Sequence, residues 1–129
     1  MLLLDLDYFK LVNDTYGHLG GDYVLATFAE LGQAMVRRED LFARYGGEEF
    51  AVLCRSTPPA HAAGLGERIL AATAAARFVH DGRVIPVSVS VGVAAARADD
   101  TVESLVERAD RALYRAKQEG RNRVVTAPE

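Results

Sequence analysis

The sequence contains few of the residues that would cross-link or stiffen a chain. Its 129 residues include one cysteine, Cys54, four prolines and no tryptophan. A single cysteine cannot form a disulfide within the chain, which excludes a small fold held together by disulfide bonds. Because Cys54 lies in an apolar run, we expect it to be a small core residue, as in a protein of the reducing cytoplasm.

Long hydrophobic runs are also missing. No apolar stretch approaches the roughly 20 residues of a membrane-spanning helix. Residues 1–4 are apolar but are followed at once by Asp5, so they are too short for a signal peptide. The chain begins inside what is predicted to be a buried strand, and we therefore expect it to be a fragment of a longer protein. That protein could be anchored in a membrane even if this segment is cytoplasmic.

Strong charge of one sign is absent as well. Fifteen basic and 18 acidic residues give a net charge of −3. Polymeric nucleic acid is therefore not an expected partner, and any phosphate site must be local. Hydrophobic and charged contents of 50% and 26% are those of an ordinary globular protein, and the length suits one domain over residues 1–129.

Two adjacent carboxylates follow a glycine pair in the middle of the chain. Apolar residues 41–43 precede the pair, and apolar residues 50–54 follow it. This pattern predicts a tight β-hairpin whose turn uses the positive φ that glycine adopts freely. A plain turn is one interpretation. Like charges side by side repel, however, so Glu48 and Glu49 favour a metal ion or acid–base chemistry.

The first predicted strand also carries two carboxylates. Leu2, Leu3, Leu4 and Leu6 indicate a buried strand over residues 2–6. Asp5 and Asp7 alternate with Leu6 and so lie on one face at the strand's end. They could be metal ligands beside a phosphate, but from these residues alone we favour strand-end charges that reach solvent.

Apolar residues at helical spacing predict four helices. The first covers residues 8–16 and is broken by the glycines that follow, and Asp22 is a good N-cap for a second helix over residues 23–38. Arginines at the end of this second helix would complement its dipole. The third helix follows a proline pair, and the fourth is capped by Thr101 and ends at Gly120.

The remaining segments predict strands. Asp81-Gly82 indicates a second hairpin, and Pro86 indicates an edge or a bulge in its second strand. Residues 87–93 alternate valine with small residues, which leaves room for close packing on one face, and residues 122–126 form a last strand. The order β-α-α-β-β-α-β-β-α-β predicts an α/β (α+β) sandwich around a mixed, mainly antiparallel five-stranded sheet flanked by helices.

Five motifs, in this order and spacing, resemble the GGDEF family of diguanylate cyclases. They are residues 5–10, residues 13–18 with 21–22, Arg44-Tyr45-Gly46-Gly47-Glu48-Glu49-Phe50 in the GGEEF form, residues 88–93, and residues 109–122. The resemblance covers nearly the whole chain. It implies a fold like that of class III nucleotidyl cyclases and of some polymerase palms. Family members usually carry a further segment before the first strand, which helps to wall the nucleotide pocket and is missing here.

The resemblance implies a reaction in which two GTP molecules condense to cyclic di-GMP and release two pyrophosphates. Each domain of a homodimer presents one GTP, and the 3′-hydroxyl of each attacks the α-phosphate of the other. Two Mg²⁺ or Mn²⁺ ions per active site are implied, as is a sensor domain upstream. Phosphoryl transfer of this kind depends on alignment and charge neutralisation more than on covalent chemistry.

The resemblance also implies roles for residues near the carboxylates. Asp5, the backbone carbonyl of Leu6, and Glu48 would hold the metals. Glu48 would also accept the 3′-hydroxyl proton, with Glu49 as a supporting carboxylate. Lys10 would stabilise the charge on the phosphates, near a helix N-terminus that favours them.

Further residues are implied to bind the substrate. Asn13 and Asp22 would read the guanine edge, whose N1–H and 2-amino donors suit an acidic acceptor. Gly47 would leave space for the nucleotide, and Lys117 and Arg121 would hold its terminal phosphates. For Asp22, simple helix capping is the alternative.

Arg37 and Asp40 form an Arg-x-x-Asp sequence shortly before the hairpin, which resembles the inhibitory site of the family for its product, cyclic di-GMP. Arg68 is a candidate secondary contact. The alternative for Arg37 is a charge at a helix end. Two other functions stay open: a non-catalytic module that binds cyclic di-GMP or GTP as a sensor or interaction domain, and a structural, dimerising remnant.

Overall fold

The computed structural model describes residues 1–128. It contains seven strands and three helices in that range. In chain order they are β1 (Leu2–Leu6), α1 (Phe9–Met35), β2 (Leu41–Arg44), β3 (Glu49–Leu53), α2 (Pro59–Ala75), β4 (Val79–His80), β5 (Arg83–Val84), β6 (Val89–Val93), α3 (Val102–Gln118) and β7 (Val124–Thr126). No helix among these residues is both long and apolar enough to cross a membrane.

Five of the strands form one sheet in the order β2-β3-β1-β6-β7. The pairs β2–β3, β3–β1 and β1–β6 are antiparallel, and β6–β7 is parallel. Strands β4 and β5 form a separate two-stranded sheet. The predicted fold, a mixed and mainly antiparallel five-stranded sheet flanked by helices, is confirmed.

The alternation along β1 divides the core between the two faces of the sheet. Leu2, Leu4 and Leu6 are buried with residues of α1 and α2 on one face. Leu3 is buried with Ala109 and Leu113 of α3 on the other. Because successive side chains of a strand point to opposite faces, Asp5 lies on the α3 side, as Leu3 does.

Helix α3 packs closely against the sheet at Gly92 of β6. A Cβ atom added to Gly92 would lie 2.3 Å from the backbone nitrogen of Leu113 and 2.4 Å from the carbonyl oxygen of Ala109. Glycine is therefore required here for lack of space. The expectation that small residues in this strand leave room for close packing is confirmed, and α3 occupies that room.

The glycines after residue 16 differ from the prediction. Gly17, with φ 77° and ψ 170°, kinks α1, and the helix resumes directly after it. Gly20 and Gly21 lie inside the second helical part and are buried. A Cβ atom on Gly20 would lie 2.7 Å from the Cβ of Tyr16, so this glycine serves close packing and does not break the helix. Asp22 is consequently inside a helix, and its prediction as an N-cap is wrong.

The C-terminal end of α1 also differs. The helix ends at Met35 with Val36 as its C-cap, and no basic residue lies in its last turn. Arg37 is therefore outside the helix, and a helix-dipole role for it is wrong. At α3 the prediction is confirmed: Thr101 is the N-cap, with Ser104 completing a capping box, and Gly120 has φ 119° just beyond the end.

The two predicted hairpin turns have different outcomes. Asp81 and Gly82 have φ values of 50° and 73° between β4 and β5, as a primed turn requires. At the other hairpin, neither Gly46 nor Gly47 has a positive φ, so the predicted primed turn is wrong. A four-residue loop joins β2 to β3, and the Arg44 guanidinium fixes it by donating to the carbonyl oxygens of both glycines at 3.1 Å.

The strand predicted over residues 87–93 is shorter than expected. Strand β6 begins at Val89, and the segment after β5, which contains Pro86, separates the small sheet from the main one. A break in strand pairing at Pro86 is expected, because proline has no backbone N–H to donate. Proline is tolerated at the start of α2, where Pro59 is the first helical residue, as the sequence predicts.

Candidate active site

The centre of the site is the end of β1, the middle strand of the sheet. Asp5 lies opposite Glu49 of β3 on one side and opposite Ser90 of β6 on the other. The Leu6 amide donates to the carbonyl oxygen of Glu48 at 3.2 Å. The structure thus brings together Asp5, Leu6 and Glu48, the residues for which a metal-binding role was expected, with Glu49 beside them.

Helix α3 brings a lysine to this group. Lys117 lies in the last turn of the helix, and its Nζ is 2.5 Å from Oδ2 of Asp5. The Asp5 side chain is only 9% exposed, whereas that of Lys117 is 28% exposed. One of the residues expected to bind phosphate is therefore bonded directly to one expected to bind metal.

The carboxylates are held in an environment that resists negative charge. Burial raises the pKa of Asp5 above the ordinary aspartate value, although the hydrogen bond from Lys117 opposes the rise and the charge of Glu48 adds to it. Burial, followed by the charge of Asp5, likewise raises the pKa of Glu49. A group of acids with these shifts is a good candidate for a site that receives a cation.

The donor set of the site fits a magnesium-like ion that arrives with a ligand of its own. Within residues 1–128, no three acidic, histidine or cysteine side chains converge closely enough to hold a metal by themselves. Asp5 and Glu48 supply carboxylate oxygens, and Leu6 supplies a carbonyl. Mg²⁺ prefers oxygen ligands and commonly takes one or two carboxylates, with water and phosphate oxygens completing its shell.

Asp7 has a structural role that the sequence did not reveal. Its carboxylate accepts hydrogen bonds from the hydroxyls of Ser88 (2.7 Å) and Ser90 (2.6 Å) and from the backbone amide of Asn122 (3.0 Å). It is 6% exposed, so the expectation that Asp5 and Asp7 reach solvent is wrong for both. The alternating serines of the later strand were the only sequence signal for this network.

The network around Asp7 positions Arg121. Arg121 precedes Asn122, and both have positive φ, 65° and 48°. The Arg121 guanidinium lies 4.8 Å from the centre of the Tyr8 ring, a distance suited to a cation–π contact. Arg121 is thereby held at the same end of the sheet as Asp5, where a phosphate-binding role was expected for it.

The other expected substrate residues lie along α1 and the hairpin. Lys10, in the first turn, is exposed and pairs with Asp14 at 3.3 Å. A Cβ atom on Gly21 would lie 1.8 Å from Oδ1 of Asn13, so the Asn13 amide rests against the residue that precedes Asp22. The kink in α1 therefore brings Asn13 and Asp22 near each other. Gly47 is exposed, with open space around it.

A second candidate site lies at the opposite end of the β2–β3 hairpin. Arg37 donates to Asp40 through Nε at 3.2 Å and to the Thr57 hydroxyl at 2.6 Å. Burial alone would raise the pKa of Asp40, but hydrogen bonds from Arg37 hold that pKa below the ordinary aspartate value. Arg37, Asp40 and Arg68 all line one cavity of about 390 Å³, together with His61.

A sheet of this topology, with carboxylates at the end of its central strand and a lysine above them, defines a palm-like nucleotidyl-cyclase class of domain. The chain belongs to the GGDEF-domain family, since residues 1–123 match the family described as "Diguanylate cyclase, GGDEF domain". The resemblance predicted from the five motifs is confirmed.

Named relatives agree with this assignment. Diguanylate cyclase A of Treponema denticola is 45% identical over 125 residues, which cover 96% of this chain and 34% of that protein. The chain spans about a third or less of the length of the first curated relatives that it matches.

Solved structures agree as well. The GGDEF domain of DgcB from Caulobacter crescentus, in complex with c-di-GMP, has a TM-score of 0.93 at 34% identity, with 97% of this chain and 75% of that chain covered. The active GGEEF domain of a diguanylate cyclase from Vibrio cholerae has a TM-score of 0.89 at 33% identity, with coverage of 99% and 81%.

Proposed function

We propose that this domain is a diguanylate cyclase, which condenses two GTP molecules into cyclic di-GMP with release of two pyrophosphates. The observation that carries the proposal is the convergence of Asp5, Glu48 and Lys117, which come from β1, the hairpin loop and the end of α3. Metal-assisted phosphoryl transfer needs this combination of carboxylates with a cation able to reach phosphate. Similarity to proteins named diguanylate cyclases supports the same reaction.

Asp5, Glu48 and the carbonyl of Leu6 would hold two Mg²⁺ or Mn²⁺ ions. Such ions, when bound, neutralise phosphate charge and lower the pKa of the attacking hydroxyl. Glu48 then accepts the 3′-hydroxyl proton, and Glu49, opposite Asp5, keeps the local field negative where the cations sit. Lys10 places a positive charge beside the phosphates at the start of α1.

The substrate would lie across the end of the sheet. Asn13 and Asp22 hydrogen-bond the guanine edge, Gly47 gives the nucleotide room beside the loop, and Lys117 and Arg121 hold the terminal phosphates. One such site positions one GTP, so the attacking hydroxyl must come from a GTP on a second copy of the domain. The reaction therefore needs a homodimer, and a regulatory domain upstream of this cytoplasmic segment would bring the two copies together.

Turnover of GTP tests this function. With Mg²⁺ and GTP, the wild-type domain should form cyclic di-GMP, measured by chromatography, and Glu48→Gln should reduce the rate by at least about 10²-fold because the proton acceptor and a metal ligand are lost. Thermal unfolding of the variant should match wild type within a few degrees. Equal product formation by the folded variant would refute the assigned role of Glu48.

A second proposed function is feedback inhibition by cyclic di-GMP at the cavity that contains Arg37, Asp40 and Arg68. Arg37 is outside the helix and presents its guanidinium at the cavity, which favours a ligand role over a helix-dipole role. A guanidinium can bind a phosphate or the Hoogsteen edge of guanine in bidentate fashion. A domain without turnover could still use this cavity as a sensor for cyclic di-GMP.

Arg37→Ala separates these roles. We expect the inhibition constant for cyclic di-GMP to rise by roughly tenfold or more, since a charged hydrogen-bond partner contributes about 1.5–3 kcal/mol. The initial rate without product should stay near the wild-type rate, because the cavity and Glu48 lie at opposite ends of the hairpin. Unchanged inhibition would show that Arg37 only braces Asp40 and Thr57.

A further inference from the structure

Lys117 is the basic residue bonded to the carboxylate group of the site. Its ammonium touches Asp5 at 2.5 Å, whereas Lys10 pairs with Asp14, and Arg121 lies over the Tyr8 ring. In the part of the chain that the structure describes, Asp5 has no second ion-pair partner. Asp5 is therefore neutralised by this one side chain when the domain is empty.

The ion pair between Lys117 and Asp5 stabilises the crowded carboxylates of the empty site. Asp5 and Glu49 lie opposite each other at the end of β1 and the start of β3, next to Glu48. Burial raises the pKa of both Asp5 and Glu49 and so opposes the ionisation of these two acids. A buried carboxylate is costly unless it is paired. A single well-placed ammonium lowers that cost without any ligand.

The same pairing opposes a divalent cation. A magnesium-like ion binds carboxylate oxygen at about 2.0–2.1 Å, and the ammonium already lies 2.5 Å from Oδ2 of Asp5, so an ion on that oxygen would lie less than about 5 Å from the ammonium. Two cations at that separation repel strongly. Lys117 has a long, flexible stem and a partly exposed side chain, so it can leave Asp5 when another anion offers it a partner.

We propose that Lys117 is a resident counter-ion of the empty site, which occupies the place of a divalent cation at Asp5 and is drawn away by the phosphates of the nucleotide. Metal alone binds weakly because it must displace the ammonium. Metal and nucleotide together bind cooperatively, since the phosphates supply Lys117 with a new partner. The second half of this inference rests on the proposed nucleotide site, whereas the first half does not.

Binding of Mn²⁺ in the absence of nucleotide tests the counter-ion directly. Free Mn²⁺ is measured by electron paramagnetic resonance during titration of the wild-type domain and of Lys117→Met. We expect the variant to bind Mn²⁺ about tenfold more tightly or better, because the competing cation is gone. Arg115→Met is the matched control, since it removes one positive charge from the same helix but from a pair with Glu119. It should leave the affinity as in wild type.

Two further measurements keep the test decisive. In the double variant Lys117→Met/Asp5→Asn, the gain in Mn²⁺ affinity should vanish, because Mn²⁺ binds at Asp5. A gain that persists would overturn the assignment of Lys117 as the counter-ion of Asp5. If Lys117→Met fails to fold, Lys117→Gln, which keeps a hydrogen bond to Asp5 without the charge, must show the tighter Mn²⁺ binding. Equal or weaker Mn²⁺ binding by a folded Lys117 variant refutes the counter-ion.

The nucleotide arm separates this inference from the proposed reaction. With a non-hydrolysable GTP analogue, wild-type affinity for Mn²⁺ should rise more than that of Lys117→Met, in which the coupling is lost. If the variant binds Mn²⁺ more tightly but the domain binds no GTP analogue, the counter-ion stands and the cyclase assignment falls. If GTP is turned over but the variant gains no Mn²⁺ affinity, the cyclase assignment stands and the counter-ion falls.

Discussion

From the contact between β6 and α3 we predict that replacing Gly92 with alanine destabilises the domain. A Cβ atom at this position meets the backbone nitrogen of Leu113 at 2.3 Å and the carbonyl oxygen of Ala109 at 2.4 Å, whereas ordinary contacts begin near 3.4 Å. Both atoms belong to the helix backbone, so no rotamer change can relieve the clash. In Gly92→Ala, α3 must move away from the sheet by about 1 Å.

Two opposing terms decide how much this movement lowers the free energy of unfolding. Overpacking of a core costs about 1–3 kcal/mol, and the rigid helix backbone places this site at the upper end. Replacing glycine with alanine also lowers the conformational entropy of the unfolded chain, which offsets up to about 1 kcal/mol of this loss of stability. The net loss of about 2 kcal/mol should lower the melting temperature by roughly 6–8 °C in a domain of this size.

Thermal unfolding followed by circular dichroism measures this change. Gly64→Ala is the matched control, because it makes the same substitution inside α2, where the nearest atom would be Nη1 of Arg68 at 3.6 Å. It should stabilise the protein by about 0.5–1 kcal/mol. Since α3 carries Lys117, Gly92→Ala should also reduce the proposed turnover, by up to about 10²-fold for a 1 Å displacement. A melting temperature for Gly92→Ala at or above wild type would refute the packing argument.

Two further predictions concern the buried acids. Burial raises the pKa of Glu49 in the folded domain, so ionisation of Glu49 destabilises the metal-free domain as the pH rises above the ordinary glutamate pKa. Glu49→Gln should therefore raise the melting temperature by a few degrees at pH 7. This gain should vanish as the pH falls below the ordinary glutamate pKa. A gain that persists at low pH would point to packing. Asp7→Ala leaves the Ser90 hydroxyl and the Asn122 amide without an acceptor, and should lower the free energy of unfolding, measured in urea, by about 2–4 kcal/mol. Asp7→Asn keeps an acceptor and should lower it by less. Equal losses in the two variants would contradict the hydrogen-bond network.

Strong periodicity and strong motifs explain what the sequence could predict. The apolar spacing of α3 and its Thr101 cap are local features, and the structure confirms them. The family assignment rests on five motifs in order, which tolerate errors in any single element. The Asp81-Gly82 turn was predictable because its conformation depends on two residues that adopt positive φ.

The misassigned elements depend on contacts that are distant along the sequence or that compete with local preference. Glycine at positions 20 and 21 looks like a helix breaker, but the kink at Gly17 brings Tyr16 and Asn13 so close that only glycine fits. At Gly46, the local preference for a primed turn is overridden by the Arg44 side chain, which binds the carbonyl oxygens of the loop. Propensity is a weak prior where packing or a side-chain hydrogen bond decides the backbone.

The relation between Asp5 and Lys117 shows a different limit of sequence reasoning. Resemblance gives each residue a ligand, a metal for one and a phosphate for the other, and neither role implies that the two residues meet. Their meeting follows from the sheet order, which buries β1 at the centre, and from Gly92, which lets α3 lie close enough for its last turn to reach Asp5. A buried carboxylate needs a partner whether or not a ligand is present. The residues proposed to bind the ligand are thus also the residues that stabilise the empty site, and substitution of either one removes the ion-pair partner of the other.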